Sequence, residues 1–514
     1  MFAFISRRLG ILLLILFGSS FILYNLTALS GDPTEGLKFS KDPKDKVQLL
    51  ALVKQLDLHT PPPLRYFKWI KGIAGVFTGN LNFGTTRDGN SVLTELAGAI
   101  PVTFRLVISA TILAIILGIM LGIATALRQY SRFDYVVTFF SFLLFSLPIF
   151  WVAVLLKQFL AIDFNNFLVS GSISVFWIIA FSLFGGFFWA GVIGGERRKF
   201  LKIFGVSAIS HAAVFAYFSL THWFLHPGLG PIVILLMSIG IAFGVTLLST
   251  GLENTPAIKA TLTMAGLGVV MYYPIQYIFD HHSSLLVLVG LLILNLVVST
   301  GLGLFFAKID RGPIVRTSII AGLCMSALVV VDRLMKTFAP YLLQDGVNGR
   351  PIPTLGQADI LLQSHNFWVV LLDRIVHLIL PTLALLLISF AGYIRFARGT
   401  MLEVLNQDYI RTARAKGLSE RTVVMRHAFR NTLIPISTIV VVDLAGVIGG
   451  AIITERVFGW HAMGTLFQNA LTSFDLNLLM GVFFVTASLS VLANLIADLL
   501  YSFLDPRVRV VGSK

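Results

Sequence analysis

Residues 403–435 read EVLNQDYIRTARAKGLSERTVVMRHAFRNTLIP, a basic and polar island in a chain of 514 residues that is 56% hydrophobic. Apolar runs at 377–394 and 433–453 flank it. A charged stretch of this length between two bilayer spans must lie in water, and its excess of Arg and Lys places that water on the cytoplasmic side. Written as helices the island is amphipathic. Tyr409, Ala413, Leu418 and Val423 form an apolar set able to dock on a partner, while the arginines stay wet. Gly417 is suited to stop or bend a helix, which predicts two short helices at an angle.

Composition sets the class. A mean hydropathy of +0.86 with 12% charged residues excludes a soluble globular domain, in which about a quarter would be charged. The formal charge of +14 would suggest nucleic acid in a soluble protein. Here the cations cluster at the ends of apolar runs, as membrane orientation demands, so no nucleic acid is expected. The single cysteine, Cys324, excludes a disulfide framework and a cysteine-rich metal site, and it reads as a small buried hydrophobe.

About twelve stretches reach the roughly 20 residues that cross the hydrocarbon as a helix. They lie near 9–29, 103–127, 135–161, 173–194, 203–221, 231–250, 260–279, 284–307, 316–335, 368–394, 433–453 and 478–503. Without water, only segments with closed internal hydrogen bonding are tolerable, so the expected class is all-α. The first run follows Arg7 and Arg8 and is longer than a usual signal-peptide core, so it is read as a retained helix. If those arginines are inside, the alternate connections should be basic. They hold Arg128 and Arg132, then Arg197, Arg198, Lys199 and Lys202, then Lys259, then Lys308, Arg311 and Arg316, then Arg395 and Arg398, and finally Arg507 and Arg509. The opposite connections hold His222, His226, Asp280, His281 and His282, and segment 30–100 falls outside with them. Both termini come out cytoplasmic. Arg333 and Lys336 break the pattern at an outer end, where Asp332 can compensate. Glycines four apart (118/122, 191/195, 240/244 and 446/450) suit close helix packing.

Three blocks resemble the permeases of bacterial ABC importers, in the branch that serves oligopeptides, dipeptides and nickel. The first, 1–162, has RRLGILLLILFGSSFILYNL, Gly31-Asp32-Pro33, LNFGTT, IPVTFRL and FSLPIFWVAVLL. The second, 352–435, has IPTLG, RIVHLILPTLAL, Tyr393, Arg395 and MLEVLNQDYIRTARAKG. The third has GGAIITERVFGW, Met463-Gly464, NLIADLLY and a terminal DPRVR. The family's loop pattern is Glu-Ala-Ala, three residues, Gly, then nine residues later Ile-x-Leu-Pro. Gly417 holds that glycine, whereas Arg411 and Thr412 replace the Glu and first Ala, a form common in the peptide branch. His427, Phe429 and Arg430 stand in place of the Ile, Leu and Pro.

The resemblance implies a type I importer permease core of six helices with about six more inserted. Residues 1–162 would be its N-terminal part, 163–351 the inserted bundle and 352–514 the C-terminal part with the ATPase-coupling loop at 403–432. Asp408, Tyr409, Arg411, Thr412, Ala413, Ala415, Gly417, Leu418 and Arg421 would form that loop. The chain would sit in the bacterial cytoplasmic membrane beside a second homologous permease, two ABC ATPases and an external solute-binding protein. It would form half of the pore, most simply for short peptides, with nickel or another small solute as the alternative. It would bind no cofactor itself, ATP and Mg being used by the partner ATPases. The residues agree with that: Gly79–Thr86 has glycines at phosphate-loop spacing, but Thr85 stands where lysine is needed, so no catalysis is expected.

Intramembrane polar residues complete the expectations. Asp443 reads equally as a pore carboxylate or as an interhelical hydrogen-bonding group, and Asn494 and Asp498 read as bonds between helices. Glu455 and Phe458 fall near the external gate that the resemblance implies. Lys157 is expected to snorkel. Adjacent His281 and His282 cannot easily face one metal, so no metal site is expected. Two other classes remain weaker. A membrane enzyme would need paired polar groups that 173–335 lacks. A secondary transporter with inverted repeats would fit twelve spans but leaves 403–432 unexplained.

Overall fold

The computed structural model describes residues 2–307 and 311–504, without the side chains of 2–5, Arg421, Ile434, Thr438, 441–442, 444–450 and 497–504. Among its described residues every regular element is a helix, with one isolated bridge between Thr85 and Ser91 and no strand. Ten helices are long and apolar enough to cross a membrane, or eleven if the pair Thr255–Val270 and Tyr272–His281, bent by 50°, is one span. The expected span 433–453 corresponds to the helix Phe429–Gly450, much of whose second half lies outside the described side chains. The expected span 135–161 is broken. Helix Arg132–Ser146 stops before Pro148, and a new helix starts at Ile149. Proline lacks an N–H and pushes its predecessor out of helical conformation; Leu147 is extended accordingly.

The chain divides into two compact units, one of Met1–Gln158, Thr354–Gln357 and Leu378–Lys514, the other of Phe159–Pro353 and Ala358–His377. In the first unit, helix Val92–Leu127 is the spine. At its start Val92 and Leu96 join a core of Tyr24, Tyr66, Trp69, Phe83, Met463 and Leu479. Toward its end Gly118 and Gly122 lie against helix Phe367–Leu405, where an added Cβ would stand 2.4 Å from the Tyr393 Cβ and 2.7 Å from the Ala397 Cβ. Beside this contact, Arg398 clasps the buried Asp134 through Nε–Oδ1 at 2.9 Å and Nη2–Oδ2 at 3.0 Å. Burial opposes ionisation of Asp134, but the Arg398 pair and the Tyr130 amide outweigh it and hold the carboxyl below its usual range.

In the second unit Asp332, fully buried in helix Arg311–Leu342, collects five donors. They are the Tyr272 hydroxyl at 2.6 Å, Gln276 Nε2 at 3.4 Å, the amides of Leu229 and Gly230 at 2.7 and 3.1 Å, and Lys336 Nζ at 3.1 Å. Arg333 pairs with Asp280 at 2.5 Å. The two cations that break the charge alternation are therefore both neutralised locally. A second buried carboxylate, Asp373, accepts from Tyr341 at 3.0 Å and from the Asp359 amide at 3.1 Å, with His377 beside it at 3.3 Å.

Two expectations are corrected. Cys324 is exposed on its helix rather than buried. Gly240 and Gly244 face open space, as does Gly191; glycines that do pack the inserted helices include Gly185, against the His211 ring, Gly186, against the Phe204 carbonyl, Gly303, against Val315, and Gly322, against Ser299. A bilayer helix is apolar on its lipid face as well as its protein face, so apolarity does not mark the packed side. Gly446 and Gly450 lie outside the described side chains. These environments predict opposite outcomes for the same change. Gly122→Leu overpacks a contact already at its limit and costs roughly 2–3 kcal/mol, read as a lower melting temperature in detergent. Gly240→Leu stays within about 0.5 kcal/mol of the parent.

Candidate functional site

The polar island folds as two helical pieces meeting at Gly417. Helix Asp408–Ala415 follows a tight turn at Asn406 and Gln407 after the long helix Phe367–Leu405. It ends with Gly417 at φ +76°, where the Gly417 amide donates to the Arg414 carbonyl at 2.9 Å and the Leu418 amide to the Ala413 carbonyl at 3.4 Å. This pair of bonds is a Schellman ending, and its left-handed residue is most cheaply a glycine. Ser419 then caps the next helix by accepting from the Thr422 amide at 3.4 Å, and helix Glu420–Thr422 passes through a π-helical stretch, Val423–Ala428, into Phe429–Gly450. A fork of Arg414 Nε and Nη2 on the Glu420 carboxylate, at 3.1 and 2.7 Å, ties the two pieces across the bend. That pair is open to water, so it contributes no more than about 1 kcal/mol.

The apolar residues read as one docking set divide between two faces. Ala413 and Val423 are buried with Ile410, Val424 and Ala428 against Met401 and Ala126. Tyr409 and Leu418 are exposed, 42% and 40%, with Asp408, Arg411, Thr412, Ala415, Gly417 and Met425 around them. The Tyr409 hydroxyl accepts from Asn431 Nδ2 at 2.9 Å, which ties the exposed ring to helix Phe429–Gly450. Arg411 stands 3.6 Å from Asp408 in an exposed pair. The Arg421 side chain lies outside the described residues. The island is thus anchored by one apolar face on its own chain and presents a basic face with an aromatic and two aliphatic residues. Ile410, fully buried, was not singled out from the sequence; its i,i+3 spacing to Ala413 was the available signal.

At the opposite end of the spine helix, Glu455 and Phe458 are both buried. Glu455 accepts from Thr103 Oγ1 at 3.0 Å and from the Thr465 amide at 3.0 Å, with the Gly464 amide also directed at it. The Thr103 hydroxyl in turn accepts from the Met463 amide at 2.9 Å. A Cβ on Gly464 would lie 2.6 Å from the Glu455 carboxylate, so the close approach requires glycine. Phe458 accepts from the Gly356 amide at 2.9 Å. Lys157 turns inward, donating to the Val457 carbonyl at 2.9 Å and lying 5.6 Å from the Phe458 ring centroid, rather than snorkelling outward.

Asp443, half-buried, has the Tyr393 hydroxyl beside it, although that hydroxyl closes no hydrogen bond of good geometry. Asn494 differs from expectation. It is exposed and bonds within its own helix, Nδ2 to the Ser490 carbonyl at 3.0 Å. An asparagine amide within reach of the carbonyl one turn before it satisfies itself locally before it can reach a neighbour. The Asp498 side chain lies outside the described residues. Among the described residues no three His, Cys, Asp or Glu side chains gather as metal ligands.

Residues 301–510 match the family described as the binding-protein-dependent transport system inner membrane component. That match takes in 210 of the 514 residues. Among named proteins the chain is similar to the oligopeptide transport system permease protein OppB of Mycobacterium tuberculosis, 44% identical over 143 residues, 28% of this chain and 44% of that protein. It is also similar to the oligopeptide permease AppB of Bacillus subtilis, 46% identical over 136 residues, 26% of this chain and 43% of that protein. The dipeptide permease DppB of Escherichia coli is 41% identical over 138 residues, 27% of this chain and 41% of that protein. The chain thus spans less than half the length of the curated relatives it matches.

Glu455 predicts a pH dependence. Burial pushes its carboxyl up, and the Thr103, Thr465 and Gly464 donors offset only part of this. A group raised in the folded state contributes its full stability below its unfolded value of 4.5 and loses it as pH rises through the folded value. The melting temperature of the parent should therefore fall relative to that of Glu455→Gln as pH is raised from 4.5 through neutrality. Parallel melting profiles for the two proteins across that range would refute the assignment.

Proposed function

We propose that this chain is a permease subunit of an ATP-driven importer of the bacterial inner membrane and forms half of a translocation path for short peptides. Its partners are a second homologous permease, two ABC ATPases and an external solute-binding protein. ATP and Mg belong to the ATPases, and this chain catalyses nothing. The observation that carries the reading is the bent island. It lies within the matched domain, is closed on one face by Ile410, Ala413 and Val423, and offers Tyr409, Leu418 and Arg411 on the other. Such a piece can seat in a groove of a soluble partner and move with it as a rigid body, which is how closure of an ATPase pair would reach the helices Phe367–Leu405 and Phe429–Gly450. Short peptides as substrate are supported by the names of the similar permeases, which are oligopeptide and dipeptide transport proteins.

The test is peptide uptake into vesicles containing the chain with its co-expressed partners. Leu418→Asp and Tyr409→Ala should each reduce ATP-dependent uptake at least tenfold while membrane levels stay within twofold. Gly417→Val, which costs about 1–2 kcal/mol of local strain, should uncouple ATP hydrolysis from uptake. Ala413→Asp should act differently, by lowering the amount of folded protein, because it buries a carboxylate among apolar side chains. Normal uptake in both Leu418→Asp and Tyr409→Ala would reject the coupling role.

A further inference from the structure

The first unit holds a cavity of about 460 Å³ that the transport reading does not use. It opens where Gly31-Asp32-Pro33 leaves the first helix, and Tyr24, Leu56, Pro61, Arg65 and Phe474 form much of its wall. Its volume falls in the range of small-ligand sites, about 300–1,000 Å³. Val92 and Leu96, at the start of the spine helix, share a core with Tyr24, whereas Ala126, at its end, packs on the coupling island. Thirty-six residues of helix, about 54 Å, separate those two ends. The cavity therefore lies on the face remote from the island.

Its charges do not cancel. Asp32 is engaged by Lys38 and by the Thr34 amide at 2.8 Å, which together outweigh its burial and hold its carboxyl down at about 2. Asp57 is engaged by Lys68 at 2.5 Å and by the Thr60 hydroxyl at 2.8 Å. Arg65 hydrogen-bonds neutral oxygens, the Leu56 carbonyl at 3.5 Å and the neighbouring Tyr24 hydroxyl; the Asp57 carboxylate, already engaged by Lys68, attracts it without closing an ion pair, and its buried Nε has no partner. It forms no ion pair among the described residues. A guanidinium left this way prefers a planar, bidentate anion, and it does so most strongly beside apolar walls that exclude water.

We propose that this cavity binds the carboxylate of a small organic acid, of which the free C-terminus of a short peptide is the form that fits, with Arg65 as the anchoring cation and the wall of Tyr24, Pro61 and Phe474 against the body of the ligand. That the natural ligand is a peptide rests on the transport reading; the carboxylate site does not, and direct binding tests it without transport. The probes are trialanine and its C-terminal amide, titrated on the full chain in lipid nanodiscs. Trialanine should bind and the amide should bind at least tenfold more weakly. Arg65→Gln should lower trialanine affinity at least tenfold and erase the difference between acid and amide. Thr27→Trp, which fills the cavity from its own wall with Arg65 intact, should do the same, and it decides the matter if Arg65→Gln does not fold. Absence of trialanine binding, equal binding of acid and amide, or unchanged binding in a folded variant of either kind overturns the proposal.

Discussion

A carboxylate taken out of water must be met by donors or it will not remain charged, and that requirement fixes which segments of this chain come together. Glu455 illustrates it. Its donors come from the spine helix at Thr103 and from the start of helix Met463–Thr472 at Gly464 and Thr465. Two regions of the chain some 350 residues apart, the spine helix and residues 455–465, are therefore held by a single side chain. Asp134 does the same at the other end of the spine through Arg398, and Asp332 does so within the second unit through Tyr272, Lys336 and two backbone amides. Apolar packing against apolar helices discriminates weakly in a bilayer, because lipid is as good a neighbour as leucine. The carboxylates supply the discrimination.

The same logic explains why the polar island is rigid enough to act on helices. Its bend depends on two backbone bonds at Gly417 and on an exposed ion pair, which by themselves are weak. What holds it is the inward face. Ile410, Ala413 and Val423 are closed onto Met401 and Ala126, and Thr432 reaches the Met401 sulfur at 3.3 Å. Tyr409 and Leu418 thus stand on a piece packed against three long helices at once, the spine, Phe367–Leu405 and Phe429–Gly450. Arg398, which holds Asp134, sits three residues, just under one turn, before Met401, so the contact that stiffens the spine also backs the island.

Much of this was legible in the sequence, and the failures have physical causes. The island stood out because charge cannot hide between two bilayer spans, and Gly417 was readable as a bend because its left-handed conformation selects glycine. The compensation of Lys336 by Asp332 followed from the sequence, whereas Asp280, the partner of Arg333, was not named for it. Which side of the island faces inward was not readable, since eight residues of helix carry both Tyr409 and Ile410 and only Met401 and Ala126 decide between them. Cys324, Gly240 and Asn494 were misplaced for a related reason: a span is apolar all round, so the sequence gives its depth but not its packed face. The break at Leu147-Pro148 was within reach, because the residue before a proline is pushed toward extended conformation whatever the solvent.

The second unit shows how far such reasoning extends where no family pattern guides it. Its helices expose large aromatic residues, among them Trp177, Phe184 and Phe187, on faces a bilayer would cover. Its polar groups are nonetheless concentrated, Asp332 with five donors and Asp373 with three neighbours. A path for hydrophilic solute would need polar groups spread along the length of the helices, free to exchange bonds with a moving ligand. Here the carboxylates are saturated by fixed donors of the protein, and an occupied acceptor cannot serve as a binding step without breaking what holds it. The arrangement is that of anchors, which hold the helices of the second unit to one another.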